Sequence, residues 1–478
     1  MLTHFFIFCG LSPSVIKGQS CAILTCKTNL NKLEVIQNAA LRIATGALKS
    51  TPIISLQCEA QAPPLKFFVE QQSLKTYYKL MTKSENHPVR KYVLEKIKNI
   101  PKWSSVSKKP FTFIVKDLID EWGTPAPQYL RSKDPPCFPP WEPLEATIHT
   151  ELQTQIQKAS GIHLLRAEAY CTIENKYADH LQVYTDGSKI TEDHHMAPST
   201  AAGFCIPSAN FDEKWKLDTN ISIAGAELSA IHKATDWVLT QHINGTREVV
   251  ILTDSQVSLH LMKQRKPKSY AYSVTKIHIN ILKLRKKGWK ISFQWIPSHC
   301  GIEGNECADA LAGEAHSLDN KDNYPVQLEE LYLIIGKAYQ AKWAAHWSAN
   351  RRQNDLRDSI SPWLHTRHPC RAYDVILTRF RMNHTKLNSH MAAKKLLDSP
   401  LCTNCNMNIA EGIHHFLLIC PGYSQQRQKL RSSLSNLGVV NPTLKDLLGG
   451  SDLDPQAKSK ITHLVSRFIS ETGRVRDL

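Results

Sequence analysis

No apolar run in this sequence is long enough to cross a bilayer. The first, FFIFCGL at residues 5–11, has neither a positive flank nor a small-residue cleavage site behind it, and a spanning helix needs about 20 such residues. It reads as a buried piece of strand or helix, or as the torn edge of a longer chain. No evenly spaced cysteine framework is present either. The 13 cysteines are an odd set scattered from Cys9 to Cys420, which excludes a disulfide-stapled secreted scaffold and suits a reducing compartment, nucleus or cytoplasm. No internal repeat of twenty to fifty residues is visible, so a solenoid is excluded. Acidic residues are in deficit: 43 Asp and Glu stand against 59 Lys and Arg, a formal charge of +16. Such a surface attracts polyanions at long range, and nucleic acid is the expected partner; a plainly solvated basic surface is the alternative.

What is present falls into segments. From Leu33 to Ala47, apolar residues at 33, 36, 40, 43 and 47 keep a helical period, with Asn31 placed to cap and Gly46 near the stop. Further helices are expected from Thr51-Pro52 and from Pro64 to Met81. Seven prolines lie from Pro125 to Pro143, which excludes regular helix or strand and marks a linker or wrapping arm. A charged helical stretch is expected around 146–170. The pattern then changes. LQVYTDGS, STAAGFCIP and KWKLDTNISI read as strands, GAELSAIHKATDWVL as a helix, REVVILTDS as a strand buried on both faces, and KISFQWIPS as a last strand before a helix from Asn305 to about Ala315. Strands followed by strand–helix alternation predict a mixed sheet with helices on its faces.

Four acids occupy special places in this pattern: Asp186 in YTDGS, Glu227 in GAELSAI, Asp254 in LTDSQ and Asp309 in NECADAL. Each alone has an ordinary use. Asp186 suits a DG turn, Asp254 a helix cap, and Glu227 and Asp309 the first turns of helices, where acids answer the dipole. Together they ask for a shared counter-ion, because a carboxylate at a buried strand end is costly unless paired or bound to a cation. Hard oxygen ligands in that number suit Mg2+ or Mn2+.

On these motifs the segment around 180–316 resembles the type 1 ribonuclease H domain. The resemblance implies an α/β, ribonuclease H-like mixed five-stranded sheet with flanking helices. It also implies endonucleolytic cleavage of the RNA strand of RNA–DNA hybrids by a two-metal mechanism, leaving 5′-phosphate and 3′-hydroxyl ends. Asp186, Glu227, Asp254 and Asp309 would hold the two Mg2+ or Mn2+ ions. In IPSHCGIEGNECADAL, His299 matches the family's mobile-loop histidine, a proton acceptor or aid to product release, with Gly301 and Gly304 freeing its loop. A histidine that merely finishes a strand is the alternative. Ser188 and Asn305 match positions near the nucleic-acid backbone and the RNA 2′-hydroxyls, though either also serves as a turn former or cap. KQRKPK and KLRKKGWK set cations beside aromatics as a phosphate-tracking groove requires, but IHINILKLRKK is equally an amphipathic helix with a solvated face. With room for two helices between Asp254 and His299, the extra basic handle helix of many members is absent or reduced.

A second metal site is expected in CTNCNMNIAEGIHHFLLIC, where Cys402 and Cys405 form a knuckle and His415, or its neighbour His414, and Cys420 follow. Soft ligands so spaced suit tetrahedral, structural zinc. This tail and LTRFRMNHTKLNSHMAAKKLLDSPLC resemble the C-terminal region of Jockey-like non-LTR retrotransposon polyproteins. LEVIQNAALRIATGALKSTPIISLQCEAQAPPL resembles the part that follows their reverse transcriptase palm. Neither a YxDD nor a FADD polymerase motif occurs, so DNA synthesis is not implied, and the chain reads as a fragment of such a polyprotein. The expected organisation is a helical thumb-like remnant at 1–100, a proline-rich linker and helix at 101–178, the nuclease domain at 179–317, and a helical C-terminal region at 318–478 with a zinc knuckle at 402–420. A catalytically idle nucleic-acid-binding remnant is the rival reading. Trp343 and Trp347, four apart, suit either base stacking or core packing.

Overall fold

The computed structural model describes residues 27–83, 86–91, 111–125, 139, 141–143, 146–152, 161–191, 197–241, 247–352, 356–364 and 366–478. The FFIFCGL segment and most of the proline-rich stretch lie outside them. Among the described residues no helix is long and apolar enough to cross a membrane. The helices, in chain order, are α1 (Lys27–Thr45), α2 (Ile53–Glu59), α3 (Leu65–Met81), α4 (Phe111–Trp122), α5 (Ile162–Tyr177), α6 (Ile223–Thr240), α7 (Gln256–Met262), α8 (Ala271–Lys286), α9 (Glu303–Glu314), α10 (Leu328–Asn350), α11 (Arg371–Arg381), α12 (Asn388–Ala393), α13 (Ser424–Ser435), α14 (Leu444–Leu448) and α15 (Pro455–Glu471). Two compact units are formed, one from Leu74–Ser105 and Thr112–Gly336, the other from Met1–Ser73, Val106–Phe111 and Lys337–Leu478.

The first of these holds the sheet. Its strands are β1 (Thr147–His149), β2 (Leu181–Ile190), β3 (Ser199–Ile206), β4 (Phe211–Leu217), β5 (Glu248–Thr253) and β6 (Lys290–Trp295), in the order β1-β6-β5-β2-β3-β4. β2, β3 and β4 run antiparallel, whereas β2, β5, β6 and β1 pair in parallel. The expected five strands are therefore joined by a sixth. β1 is only three residues long, too short to show a period, and it falls where a charged helix was expected around 146–170; the helix α5 begins only at Ile162. β5 lies in the interior, and every residue after Glu248 is buried, which is why EVVILT reads as one apolar run. Between Asp254 and His299 stand two helices, α7 and α8, as the sequence predicts.

Small residues decide how closely the helices approach. β3 is buried along its whole length. A side chain on Gly203 would meet the Leu311 Cβ of α9 at 2.9 Å, and one on Gly187 would meet the Glu227 backbone nitrogen of α6 at 2.6 Å. The residues after α9 also belong to this unit. Ser222, the N-cap of α6, donates its amide to Glu330 Oε1 at 3.0 Å, and Tyr324 donates its hydroxyl to Ser273 Oγ at 2.8 Å.

The other unit buries Phe380, Phe416, Val465 and Phe468 together with many leucines, and Phe416 meets the Phe468 ring edge-on at 5.6 Å between centroids. Glu59 is buried between the guanidinium groups of Arg357 and Arg381, with Arg381 Nε 2.8 Å from its Oε1. Burial raises the Glu59 carboxyl, but Arg381 and Arg357 outweigh it and hold the group below its ordinary value. Helix α1 begins at Lys27, so Asn31 lies inside it rather than at its cap; an interior asparagine costs well under about 1 kcal/mol, too little to end a helix. Gly46 stops it with φ +69°. Trp343 and Trp347 are buried, which makes them core rather than stacking platforms.

Candidate active site

β2 and β5 run in parallel with Thr185 opposite Thr253. One residue further along each strand stand Asp186 and Asp254, so register alone places the two carboxylates side by side. Both threonines are fully buried, and alternation turns the aspartates to the other face. Asp186 also pairs with Gly203 of β3, and the missing side chain there lets α9 cross closely enough to bring Asp309 to hydrogen-bonding reach of Asp186. Gly187 does the same service for α6, whose Glu227 comes in past it. Asp186, Glu227 and Asp254 each place an oxygen within 4.8 Å of the others. Glu227 is the fifth residue of α6 and Asp309 the seventh of α9. They stand beyond the first turns expected for them, where the helix dipole has faded.

The electrostatics follow from that crowding. Burial, then the charges of Asp254 and Asp309, push Asp186 up to about 8. Glu227 is raised well above the ordinary range by burial and by Asp186 and Asp254. Asp254 is raised by burial, against the pull of an Asn305 hydrogen bond and the nearby His299. Glu227 Oε2 is buried with no hydrogen-bond partner. Oxygen donors that resist ionising together, one of them an orphan, fit a hard divalent cation.

Around the acids the other expected residues take distinct places. His299 adopts φ +51° and is largely exposed, with Nδ1 3.7 Å from Asp309 Oδ2. Asn305 is buried, bonded to Asp254, and leaves its own Oδ1 unpartnered. Ser188 Oγ lies 3.0 Å from His316 Nε2. Sequence reading did not single out His316, nor Glu306, which shares a 4.8 Å cluster with His299 and Asp309. Glu306 stands three residues before Asp309 on one helix face, a spacing that would have revealed it. The basic stretches are partly engaged within the fold: Lys263 reaches Thr150 Oγ1 at 3.0 Å, and Arg265 reaches the Glu142 carbonyl at 2.7 Å.

The second expected site lies in the other unit. Cys402, Cys405, His415 and Cys420 offer ligand atoms all within 4.8 Å of one another. Cys402 and Cys420 sulfurs are 3.8 Å apart, and Cys405 Sγ is 3.4 Å from His415 Nε2. A tetrahedron with zinc bonds of about 2.3 Å to sulfur and 2.0 Å to nitrogen has edges of about 3.8 and 3.5 Å, so the donor set fits that ion. Burial lowers the His415 pKa, favouring the neutral imidazole a metal takes. The cluster includes His415, which is buried, and not its exposed neighbour His414.

A mixed α/β sheet with four acids converging across two of its strands and two flanking helices defines the class. Residues 178–317 match the family model described as RNase H. Among solved structures, RNase H1 from Halobacterium salinarum NRC-1 is 20% identical, with 28% of this chain and 96% of that one covered and a TM-score of 0.19. The N-terminal RNase H domain of Rv2228c from Mycobacterium tuberculosis is 18% identical, with 28% and 94% covered and a TM-score of 0.20. No curated protein matches the chain.

Proposed function

We infer that the chain hydrolyses the RNA strand of RNA–DNA hybrids. The observation that carries this reading is the meeting of Asp186, Glu227, Asp254 and Asp309 at one place inside the segment that matches the RNase H family. The four carboxylates would hold two Mg2+ or Mn2+ ions, whose chemistry is to activate a water and neutralise the leaving 3′ oxygen, giving 5′-phosphate and 3′-hydroxyl ends. Asp186 is close enough to feel the charges of the other three, while Asn305 fixes Asp254 by its hydrogen bond. His299, exposed beside Asp309, stands ready to take a proton or ease product departure. Ser188 and Asn305 would serve, in this reading, near the nucleic-acid backbone and the 2′-hydroxyl by which RNA differs from DNA.

In this reading the Cys402, Cys405, His415 and Cys420 cluster holds a structural zinc ion, and the surface charge serves nucleic-acid binding in the nucleus or cytoplasm. The flanking segments are those of a Jockey-like retrotransposon polyprotein. The rival is a catalytically idle binding remnant. The full chain, given a labelled RNA–DNA hybrid with Mg2+ and, in parallel, duplex RNA and duplex DNA, separates the two. Hybrid cleavage is expected, falling about 10³-fold in Asp186→Asn. Binding without cleavage in the wild-type chain selects the rival, and equal cutting of all three duplexes removes the hybrid specificity.

A further inference from the structure

The loop between β6 and α9, residues 296–302, carries His299, and it is held from outside the segment that matches the family model. Helix α5 lies against it. Tyr170 donates its hydroxyl to the Gly301 carbonyl at 3.4 Å and accepts from the Glu303 amide at 3.3 Å. Glu303 opens α9, so its amide is one of the first-turn donors that no helix carbonyl can satisfy. One phenol thus bonds both sides of Ile302 and answers a helix end. Arg166, one turn earlier on α5, lies over the Tyr170 ring at 5.7 Å and over Gly301, where an added side chain would come within 3.2 Å of its guanidinium.

A cavity of about 330 Å3 borders Tyr170, Ile302, Glu303 and Gly304, while Ile302 itself is buried and Gly304 packs against the Tyr184 ring; the Tyr170 hydroxyl acts beside that packing as a polar tie. His299 stands at φ +51°, a conformation its side chain disfavours and the surrounding structure must maintain, whereas Gly301 adopts φ +78° without that cost. The Gly301 amide is tied to Glu306 Oε1 at 3.0 Å, and the carbonyl of the same residue is tied to Tyr170.

We propose that Tyr170 is a positioning residue that sets the His299 loop, so that a helix outside the nuclease core governs how the histidine is presented. The proposal rests on the hybrid-cleavage reading for its kinetic consequence and on geometry alone for the tether. Tyr170→Phe removes one hydroxyl and keeps the ring. In the full chain, amide hydrogen exchange across residues 298–306 is expected to quicken about fivefold or more, the mark of a loop that opens more easily. With an RNA–DNA hybrid and Mg2+, kcat is expected to fall about tenfold while KM stays within about twofold. In a His299→Ala background the same substitution is expected to have almost no further effect on kcat. Unchanged exchange overturns the tether, and equal losses in both backgrounds overturn the link to His299. Should the wild-type chain leave the hybrid intact, the enzymatic reading falls, and the exchange measurement still decides the tether.

Discussion

Asp186 shows how a single side chain can be stable only in company. Its folded-state pKa of about 8, and the upward shifts of Glu227 and Asp254, arise from burial and mutual repulsion. Between the ordinary carboxylate range and about pH 8 the folded chain therefore holds protons that the unfolded chain has released. Stability must fall as pH rises through that window when no divalent ion is present. In chelator, Asp186→Asn is expected to melt at least about 2 °C above the wild type at pH 8, with the difference vanishing near pH 4; thermal melts across the window check it. Divalent binding at neutral pH should likewise release protons, visible as heats that depend on the buffer. These acids were legible in the sequence because each sits within a strand, just past one, or inside a helix that a period could locate. His316 was not, because only the folded chain brings it to Ser188, across more than a hundred residues.

Elements depend here on what some residues lack. α9 can lie on β3 only because Gly203 presents no side chain, its would-be Cβ meeting Leu311 at 2.9 Å and the Ala312 nitrogen at 3.2 Å. Gly203→Ala should cost about 1–3 kcal/mol of stability and weaken hybrid cleavage by displacing Asp309, measured by urea denaturation alongside the cleavage assay. A variant that keeps both would show that α9 is placed by something else. Strand and helix types were largely legible from periodicity across 181–314, where runs are long and bounded by turns. β1 was not: three residues, Thr147–His149, carry no period, and their pairing with Ser292–Gln294 of β6 is decided by the sheet edge that receives them. The start of α1 escaped as well, since a cap residue favours a boundary by little and continuing contacts can overrule it.

On the scale of the whole molecule, the sheet-bearing unit extends beyond the 178–317 segment that matches the family. β1 and α5 precede it, and Tyr324, Gln327 and Glu330 brace α6 and α8 from after it. A fragment of residues 178–317 is therefore expected to melt at least about 5 °C below one of residues 146–336, and equal melting temperatures would show that the braces contribute nothing. For the cysteine cluster, a strong zinc chelator should lower the melting temperature of the wild-type chain and leave that of Cys402→Ser unmoved; elemental analysis of the purified chain identifies the ion. The motifs of both sites were legible, but the drawing of residues 27–73 and the described part of 337–478 into one compact unit was not, because pairings so distant in sequence, such as Glu59 with Arg357 and Arg381, leave no local pattern. That arrangement fixes a timetable for synthesis. The sheet-bearing unit can form once Gly336 leaves the ribosome, whereas Glu59 waits for arginines 298 and 322 residues further on, a delay of about 15–60 s at about 5–20 residues per second. Helix α2 is thus made long before its partners emerge, and a nascent-chain chaperone would have a long opportunity there.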